Sequence, residues 1–442
     1  MDVVADLHLH SKYSRAVSQQ MVIPEMVKWA KKKGINLLGT GDFTHPLWFR
    51  ELKESLVEEN GLLRMKEETE EGGEVRLLLT TEVSSIYSQG GKVRKIHNLI
   101  AVPSFTLAEK INQELTRRGG NLLADGRPIV GLSAKEILSL VMEIDENALV
   151  IPCHIWTPHF SLFGANSGFD SLEECFGNLS KYIFGVETGL SSDPEMNWSI
   201  PDLESKTIVS FSDAHSGVNL GREMTVLEIE TPTPQYEDVR KAIVGGSRGK
   251  IKYTVEFYPE EGKYHYTGHR KCGVVQSPEE SEKKGTTCPV CGRPLTVGVM
   301  HRVRELAKNM RNLKIDTKSD ESGLKWIISE KGTAFVKLVP LIEIIAESQR
   351  VGKLSQSVLE TYENLIGKLG SELEILTRIE LEKIASIGGE RLAEGVKKVR
   401  SGDILIKPGY DGEYGTVMVW PSSVNLEKGT GGKGGEQISL FG

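Results

Sequence analysis

Short apolar runs that end in polar residues recur through the first 250 residues, with helical segments between them. The first run is MDVVADLHLH, and residues 24–34 follow it with Met26, Val27 and Ala30 at helical spacing before Gly34. Similar apolar runs occupy residues 35–39, 75–82, 97–102, 148–154, 182–187 and 207–213. Continuous apolar strands that alternate with helices predict a parallel sheet or barrel, with its functional site at the C-terminal ends of the strands.

The remainder of the chain has a different pattern. Residues 251–338 contain short strands and a cysteine cluster, and residues 263–318 hold 12 Lys and Arg against 5 Asp and Glu, so this segment is basic. Residues 339–425 predict helices, with apolar stripes such as Leu341, Ile344 and Ile345. Residues 426–442 are rich in Gly and Lys and predict a flexible tail. We therefore expect four parts, residues 1–250, 251–338, 339–425 and 426–442.

Composition narrows the class of protein. The chain has 442 residues, of which 39% are apolar and 26% charged, as in a soluble protein of several domains. It has no apolar run of about 18 residues and no secretory pattern at its start, so we expect no membrane span and a cytoplasmic location. The net charge of −7 argues against binding nucleic acid by basic charge alone. It is compatible with a nuclease whose metal ions supply the positive charge.

The strongest chemical pattern is a set of histidines and carboxylates near the strand ends. His8 and His10 form an H-x-H pair, and residues i and i+2 of a strand face the same side. Such a set exceeds what one ion needs and suits two or three Zn²⁺, Mn²⁺, Mg²⁺ or Fe ions, which would act on a phosphoester. The candidate metal ligands are His8, His10, Asp42, Glu82, His97, His154, Glu187, Asp213 and His215.

These motifs resemble the polymerase and histidinol phosphatase (PHP) superfamily. The phrases that carry the resemblance are DLHLHS, T-x-D, a strand-end Glu, P-x-H and SDAH. The resemblance implies a distorted (β/α)7 barrel with a trinuclear metal site that hydrolyses phosphoesters. Many members have T-D-H where this chain has TGDFTH, so either Asp42 or His45 takes that role. Many also have an acidic residue or His near position 15, where Arg15 is a candidate to contact a substrate phosphate.

Two further pairs of residues predict a structural zinc site. His269 and Cys272 are followed by Cys288 and Cys291, which is the spacing of a closed four-ligand site with one zinc ion. His265 and His301 are alternatives to His269 as the fourth ligand. Cys153 and Cys175 lie elsewhere and are expected to be ordinary buried thiols.

A PHP barrel followed by this zinc site and helices resembles the endonuclease Q family over nearly the whole chain. Residues 126–137, 154–177, 187–198, 269–303 and 407–415 carry the resemblance. It implies metal-dependent cleavage of the phosphodiester 5′ to deoxyuridine, deoxyinosine, deoxyxanthosine or an abasic site. Asp213 and His215 are then candidate catalytic residues. Asp193 is a third, as a candidate to contact a sugar or base edge, with helix capping as the alternative.

Damaged DNA is the expected partner, and several residues are candidates to contact it. Trp156, His159, Phe160 and Phe163 follow His154 and are candidates to stack on a flipped base, or else form the core of a large loop. The basic segment would contact phosphates. The candidate DNA-contacting residues are Arg15, Trp156, Arg270, Lys271 and Arg293.

The last residues, QISLFG, resemble a short sliding-clamp motif. Gln437 is a polar anchor, and Leu440 with Phe441 forms an apolar pair. The pattern favours the bacterial β clamp, with an archaeal ring clamp as the alternative. Two other functions remain open from the sequence: a small-molecule phosphatase of the histidinol phosphatase kind, and a non-enzymatic accessory protein that binds DNA or a clamp.

Overall fold

The protein is described by a computed structural model that covers residues 1–67, 75–245, 249–307, 313–330 and 332–421. Within these ranges it is a mixed α/β protein with one large sheet and a group of C-terminal helices. This confirms the predicted α/β class and the helical C-terminal region. None of the helices in these ranges has the length and apolar character that a membrane span requires.

The strands vary from two to fourteen residues in length. They are β1 (Asp2–Asp6), β2 (Leu37–Gly39), β3 (Leu56–Glu59), β4 (Leu62–Met65), β5 (Arg76–Gln89), β6 (Lys92–Val102), β7 (Ile129–Val130), β8 (Leu149–Pro152), β9 (Gly185–Glu187), β10 (Thr207–Val209), β11 (Met224–Ile229), β12 (Gly249–Glu256), β13 (Thr267–His269), β14 (Val274–Gln276), β15 (Ile315–Ser319), β16 (Lys325–Ser329), β17 (Gly332–Lys337), β18 (Leu405–Lys407) and β19 (Thr416–Met418).

The helices lie between these strands and, from residue 341, follow one another. They are α1 (Ile23–Lys33), α2 (Pro46–Ser55), α3 (Phe105–Arg117), α4 (Ala134–Ile144), α5 (Leu172–Phe176), α6 (Pro194–Trp198), α7 (Tyr236–Val244), α8 (Pro278–Lys284), α9 (Val299–Leu306), α10 (Leu341–Gln349), α11 (Gln356–Leu369), α12 (Glu372–Thr377), α13 (Leu381–Gly388) and α14 (Glu390–Ser401).

The large sheet places β1 near its centre. Its strand order is β15-β16-β17-β12-β11-β1-β2-β5-β4-β3; β6 and β7 join it by pairing with β5, and β8 pairs with β6. Strand β1 is parallel to β2 and antiparallel to β11, while β9 and β10 form a separate parallel pair. The sheet is therefore mixed rather than parallel. The (β/α)7 barrel closure stays a prediction.

The main departure from the expected alternation is the hairpin of β5 and β6. These strands pair antiparallel from Leu79–Val102 to Gln89–Lys92, and Gly90 and Gly91 connect them with positive φ angles of 61° and 73°. A two-residue turn of this kind forces antiparallel pairing and leaves no room for a helix. Glu82 and His97 therefore lie within long strands rather than at strand ends.

Helix α1 shows how the predicted elements dock onto the rest of the fold. Pro24 lies in its first turn, and Gly34 ends it in the left-handed conformation at φ 84°, as its pattern predicts. At its C-terminal end the buried Lys33 pairs with Glu372 of α12 at 2.7 Å. The Tyr362 hydroxyl and the Leu341 N–H donate to the same carboxylate. Breaking such a buried pair leaves an uncompensated charge, so this contact fixes the C-terminal helices against α1.

The segment with the cysteine cluster is built partly on the large sheet. Strand β12 pairs in parallel with β17 and so continues the sheet, whereas β13 and β14 form their own hairpin. Strands on both sides of residue 250 belong to one sheet, so the sheet does not mark a domain boundary there. The boundaries at residues 250 and 338 therefore stay predictions. The tail with Gln437, Leu440 and Phe441 lies outside the described residues.

Candidate metal centre

The H-x-H pair directly after β1 forms the base of a buried polar cluster. His8 and His10 are fully buried, and their Nε2 atoms have no hydrogen-bond partner. The same is true of Asp213 Oδ1, which lies 3.2 Å from His10 Nε2 but outside hydrogen-bond geometry. Glu82 Oε2 lies 3.2 Å from the same nitrogen and 3.7 Å from His8 Nε2. Buried polar atoms are rarely left without partners, so their convergence indicates a site for cations.

A carboxylate lies behind each of these two histidines. Glu187 contacts Nδ1 of His8 at 2.8 Å and also accepts a hydrogen bond from the backbone N–H of His154. Asp42 contacts Nδ1 of His10 at 3.0 Å, and its second oxygen accepts from the N–H and hydroxyl of Ser11. A carboxylate on one ring nitrogen turns the other nitrogen toward a metal ion and raises its basicity. The geometry therefore favours an orienting role for Asp42. Glu187 makes the same kind of contact with His8, but it also forms a group of potential ligands with His8 and Cys153.

Glu82 is at the centre of the cluster, because the β5–β6 hairpin brings it beside histidines from two strands. Its Oε1 contacts His97 Nδ1 and lies 3.3 Å from His154 Nε2. The three residues form one group whose potential ligand atoms all lie within 4.8 Å of one another. His8, His10 and Glu82 form a second group, and His10, Asp213 and His215 a third. Neighbouring groups with shared members suit more than one ion.

Strained backbone conformations hold several of these residues in place. Asp42, His154 and Asp213 have positive φ angles of 49°, 31° and 47°, which side chains other than Gly adopt at a cost. The guanidinium of Arg222 donates to the backbone oxygens of Ser212 and Asp213 and so fixes that turn. Such strain persists only where the surrounding structure enforces it, and it concentrates at functional sites.

The electrostatics of the cluster favour charged carboxylates, and burial lowers the pKa of both His97 and His215, which favours neutral imidazoles there. Burial lowers the pKa of His97 to about 4, against the opposing effect of Glu82. Burial alone would raise the pKa of Glu82, but His97 and Arg127 outweigh it and hold that pKa well below its usual value. Burial also opposes the charged form of His8, yet Glu187 raises its pKa well above the usual value. A site rich in carboxylate charge and imidazole nitrogen fits divalent cations.

Neither of the two alternatives for the T-x-D position enters a potential ligand group among the described residues. Asp42 has both oxygens occupied by His10, Ser11 and Ser14. His45 lies against the ring of Tyr13, with 4.4 Å between the centroids. His45 Nδ1 is buried and unpartnered, but the groups of potential ligands are made without it.

Both carboxylate oxygens of Asp193, a predicted catalytic residue, make contacts that support the fold. Its Oδ1 accepts a hydrogen bond from the N–H of Met196 as the N-cap of α6, and its Oδ2 pairs with Lys337 at 2.7 Å. This is the capping alternative. Burial opposes the charge on Lys337, but Asp193 and Glu260 raise the Lys337 pKa and keep it charged. A carboxylate committed to a helix N-terminus and a lysine is poorly placed for catalysis, so we do not assign Asp193 to the reaction.

The aromatic loop after His154 separates into core and accessible residues. Trp156 is only 1% exposed, donates from Nε1 to Asn197 and packs on Phe163, so its assignment as a DNA contact is wrong. His159 is exposed, and Phe160 is half-buried with a φ of 60°. The Phe160 ring lies 4.8 Å from that of His97. Of the four aromatics, His159 and Phe160 remain accessible, and the Phe160 ring lies beside the candidate metal centre.

The predicted basic DNA contacts lie on the surface. Arg15, Arg270, Lys271 and Arg293 are all exposed. Arg15 is 77% exposed in its side chain and pairs with Asp125. These side chains are accessible to DNA, and their contact with it stays a prediction.

Arg127 is a site residue that the sequence pattern did not identify. Its Nη1 lies 3.2 Å from Glu82 Oε2, and its side chain is 17% exposed. It lies in a short loop before β7, where no periodic pattern indicates which way a side chain points. The available signal was its position in the DGRP phrase, within a stretch that carries the family resemblance.

The cysteine cluster forms the group that the spacing predicts. The ligand atoms of His269, Cys272, Cys288 and Cys291 lie within 4.8 Å of one another, and His269 Nδ1 is 3.4 Å from Cys291 Sγ. His265 and His301 are absent from every such group of described residues, so His269 is the better fourth candidate. Burial would raise the pKa of Cys288, but backbone N–H groups of Cys291 and Val290 help to lower it to about 6. Thiolates are the form that binds zinc.

Comparison with known proteins finds relatives along the chain. The family model described as "MJ0043 C-terminal domain" matches residues 340–403. The uncharacterized protein MJ0043 of Methanocaldococcus jannaschii is 32% identical over 274 residues, which is 61% of this chain but 32% of that protein, so the chain spans about a third of it. The uncharacterized protein YqxK of Bacillus subtilis is 27% identical over 431 residues, 94% of this chain and 99% of that protein.

Two solved structures match over nearly the full length. The lesion-specific endonuclease PfuEndoQ from Pyrococcus furiosus has a TM-score of 0.79 and 31% identity, covering 97% of this chain and 98% of its own. An endonuclease Q complex with a 27-mer duplex substrate, which has an abasic lesion at the active site, has a TM-score of 0.78 and 30% identity. That match covers 97% of this chain and 100% of the other.

Proposed function

The chain belongs to the endonuclease Q family, and from this premise we propose that it is a metal-dependent DNA repair endonuclease. Its substrate would be duplex DNA with a deaminated base, namely deoxyuridine, deoxyinosine or deoxyxanthosine, or with an abasic site. It would hydrolyse the phosphodiester 5′ to the damaged nucleotide. The related structure with an abasic lesion at its active site supports this substrate class.

The observation that carries the proposal is the convergence of unpartnered buried atoms. Nε2 of His8, Nε2 of His10 and Oδ1 of Asp213 share one space with Glu82 and have no protein hydrogen-bond partners. An inactive relative of a metal-dependent enzyme would be expected to lose such residues, because their burial has a cost when no ion is present. This chain keeps nearly all of the expected ligands.

Two or three divalent ions, Zn, Mn, Mg or Fe, would occupy the centre. The residues that would hold them are His8, His10, Glu82, His97, His154, Asp213 and His215. Bound ions of this kind supply Lewis acidity and water activation to phosphoester hydrolysis. Asp42 and Glu187 hold the rings of His10 and His8 in position. The mixed imidazole and carboxylate set favours Zn, Mn or Fe over Mg.

A separate zinc ion would be structural, bound by His269, Cys272, Cys288 and Cys291. Four protein ligands close a site to substrate, and the binding energy contributes to folding. The exposed Arg270, Lys271 and Arg293 flank these residues and would contact DNA phosphates. Phe160 and His159 would contact the damaged nucleotide beside the metal centre.

Two further parts of the proposal rest on the sequence. The motif of Gln437, Leu440 and Phe441 would bind a sliding clamp, with the bacterial β clamp favoured over an archaeal ring. The place of action would be the cytoplasm, where such a clamp encircles DNA.

The experiment is a nicking assay on end-labelled duplexes that differ in one nucleotide. The duplexes carry deoxyuridine, deoxyinosine, deoxyxanthosine, an abasic site or no lesion, and each is incubated with Mg²⁺, Mn²⁺ or Zn²⁺. We expect a single nick 5′ to the lesion and none in the undamaged duplex. Phosphate release from histidinol phosphate without nicking would instead support the small-molecule phosphatase. The absence of both activities would favour the non-enzymatic accessory protein.

A further inference from the structure

The loop of residues 125–128 places an arginine between the metal centre and solvent. Arg127 Nη1 contacts the fully buried Glu82, and 17% of the Arg127 side chain is exposed to solvent. The Glu82 contact is its one side-chain hydrogen bond among the described residues. A guanidinium has five N–H donors in a planar fork. Most of them are therefore free to bind a group that approaches from solvent.

The position of this loop is fixed by close packing onto the metal centre. The N–H of Gly126 donates to the backbone oxygen of Tyr13, and the backbone oxygen of Gly126 accepts from Thr44. A Cβ at Gly126 would lie 2.3 Å from Asp42 Oδ2, and equally close to Ser14 Oγ. No larger residue fits there without displacing the carboxylate that orients His10. The loop and the centre are thus one assembly.

Asp125 holds a second arginine next to the first. Its Oδ1 accepts from the N–H groups of Arg127 and Arg15, at 3.1 and 3.4 Å. Its Oδ2 pairs with the Arg15 side chain at 3.3 Å. One carboxylate therefore sets the backbone of both arginines, and the exposed Arg15 guanidinium lies beside it on the solvent side.

We propose that Arg127 and Arg15 form a two-arginine clamp on the DNA strand that is cut, with Asp125 as its positioning residue. Arg127 binds a non-bridging oxygen of the scissile phosphate, and Arg15 binds a neighbouring phosphate of the same strand. This inference rests on the proposed function, because it assigns a role in phosphodiester cleavage. The chemistry is that of guanidinium groups, which bind phosphate oxygens through paired N–H donors.

The alternative is that Arg127 only balances the charge of Glu82. Four histidines already contact that carboxylate, and divalent ions in the centre would add more positive charge. Glu82 holds the Arg127 guanidinium through one N–H, and the remaining N–H donors can bind an incoming anion. Negative charge builds up on the non-bridging oxygens of the phosphate as the phosphorus is attacked. A guanidinium fixed beside these oxygens therefore lowers the barrier.

The two arginines then differ in their kinetic effects. Arg127→Ala should lower kcat about 10²-fold, as the loss of a transition-state donor does. Arg15→Ala should raise KM about tenfold with little change in kcat, because a neighbouring phosphate keeps its charge through the reaction. Arg127→Lys should recover little, since an ammonium does not reproduce the fork. Added guanidinium ion should restore part of the Arg127→Ala rate.

Readouts other than activity separate this role from a structural one. Metal content should stay at the wild-type level in Arg127→Ala. In an Asp213→Asn background, which leaves DNA uncut, each arginine variant should reduce the slope of log Kd against log salt by about one. Arg118→Ala is the matched control, because Arg118 is 27% exposed and pairs with Glu114 on α3. It should match wild type in every measurement.

Asp125→Ala tests the positioning role. It should raise KM as Arg15→Ala does, and it should also lower kcat, by less than Arg127→Ala does, because Asp125 accepts from the N–H groups of both arginines. In an Arg15→Ala background it should raise KM no further, because both changes act on KM through the Arg15 guanidinium.

The outcomes separate the clamp from the proposed function. A wild type that never nicks lesion DNA overturns the proposed function, and an unchanged salt slope then overturns the clamp as well. A wild type that nicks, with Arg127→Ala within threefold in kcat, overturns only the clamp. Loss of bound metal in both Arg127→Ala and Arg127→Lys also overturns it, in favour of a structural role for Arg127.

Discussion

Each histidine of the H-x-H pair is held by a carboxylate on Nδ1 and directs Nε2 into the candidate metal centre. The pairs are His8 with Glu187 and His10 with Asp42. The carboxylate fixes the ring orientation and the proton position, and it makes the other nitrogen a better ligand. The distinction between ligand and orienting residue is invisible in the sequence, because both kinds of residue are carboxylates that follow a strand. Only the side-chain geometry separates Asp42 from Asp213.

Replacing Asp42 with Asn tests this arrangement. Asn keeps the shape but removes the charge that stabilises the His10 ring, so metal affinity should fall by about 10- to 100-fold. Chelator competition measures it. His45→Gln is the control, since His45 lies against Tyr13 outside the ligand groups. If His45→Gln loses metal and Asp42→Asn does not, His45 takes the T-x-D role instead.

A buried carboxyl on β12 predicts how stability depends on pH. Burial raises the pKa of Glu256 to about 7, although the hydroxyls of Ser210 and Thr254 partly oppose it. The folded protein then holds a proton that the unfolded chain releases above about pH 4.5. This contribution to stability is complete below about pH 4.5 and is lost as the pH rises to about 7.

Glu256→Gln should remove that dependence. The amide oxygen still accepts from the two hydroxyls, and it never ionises. Urea unfolding measures the free energy of unfolding of both proteins at about pH 5 and about pH 8. The value for the variant minus that for wild type should be roughly 2–3 kcal/mol higher at the higher pH. If the variant and wild type differ by the same free energy of unfolding at both pH values, Glu256 does not ionise over this range.

At the scale of elements, strand alternation predicted much of the framework and failed where a turn intervened. Helix α1 and its Gly34 end follow from spacing and from the need for a left-handed residue. The hairpin of β5 and β6 does not follow from apolar runs, because its signal is the Gly90-Gly91 turn. That hairpin brings Glu82 to His97. Because the sequence pattern placed these two residues at the ends of separate strands, it did not show how the candidate metal centre is built. Arg127 was missed because loops have no periodicity.

The spacing of His269, Cys272, Cys288 and Cys291 predicted that these four side chains lie together, as the structure has them. Cys291→Ser should remove about one zinc ion per chain, because a four-ligand site loses a thiolate. It should loosen residues 263–303 in hydrogen exchange and weaken DNA binding more than it slows cleavage of bound DNA. Elemental analysis gives the zinc content. A variant with full metal content would refute the zinc site.

At the scale of the whole molecule, buried contacts join the part that contains the candidate metal centre to the C-terminal helices. The pair of Lys33 and Glu372 joins α1 to α12, and β12 with β17 extends the sheet across the segment that contains the cysteines. The net charge of −7 leaves DNA affinity to local basic surfaces and bound ions. The match to two endonuclease Q structures extends over this entire arrangement.

The terminal motif should act separately from that arrangement. Deleting residues 437–442 should leave intrinsic nicking unchanged and abolish binding to the cognate sliding clamp. Calorimetry with the terminal peptide should give micromolar affinity, since ordering a short peptide opposes association. A peptide with Leu440→Ala and Phe441→Ala is the control. Equal binding by the two peptides, or binding to neither a bacterial β clamp nor an archaeal ring, would refute the motif.

The most direct test of the central claim compares wild type with Asp213→Asn on one lesion duplex. Asn keeps the shape of the side chain that aims Oδ1 at His10 but removes its charge. The single-turnover nicking rate should fall at least about 10²-fold if the buried cluster binds the ions that cut DNA. An Asp213→Asn rate within threefold of wild type would contradict the account.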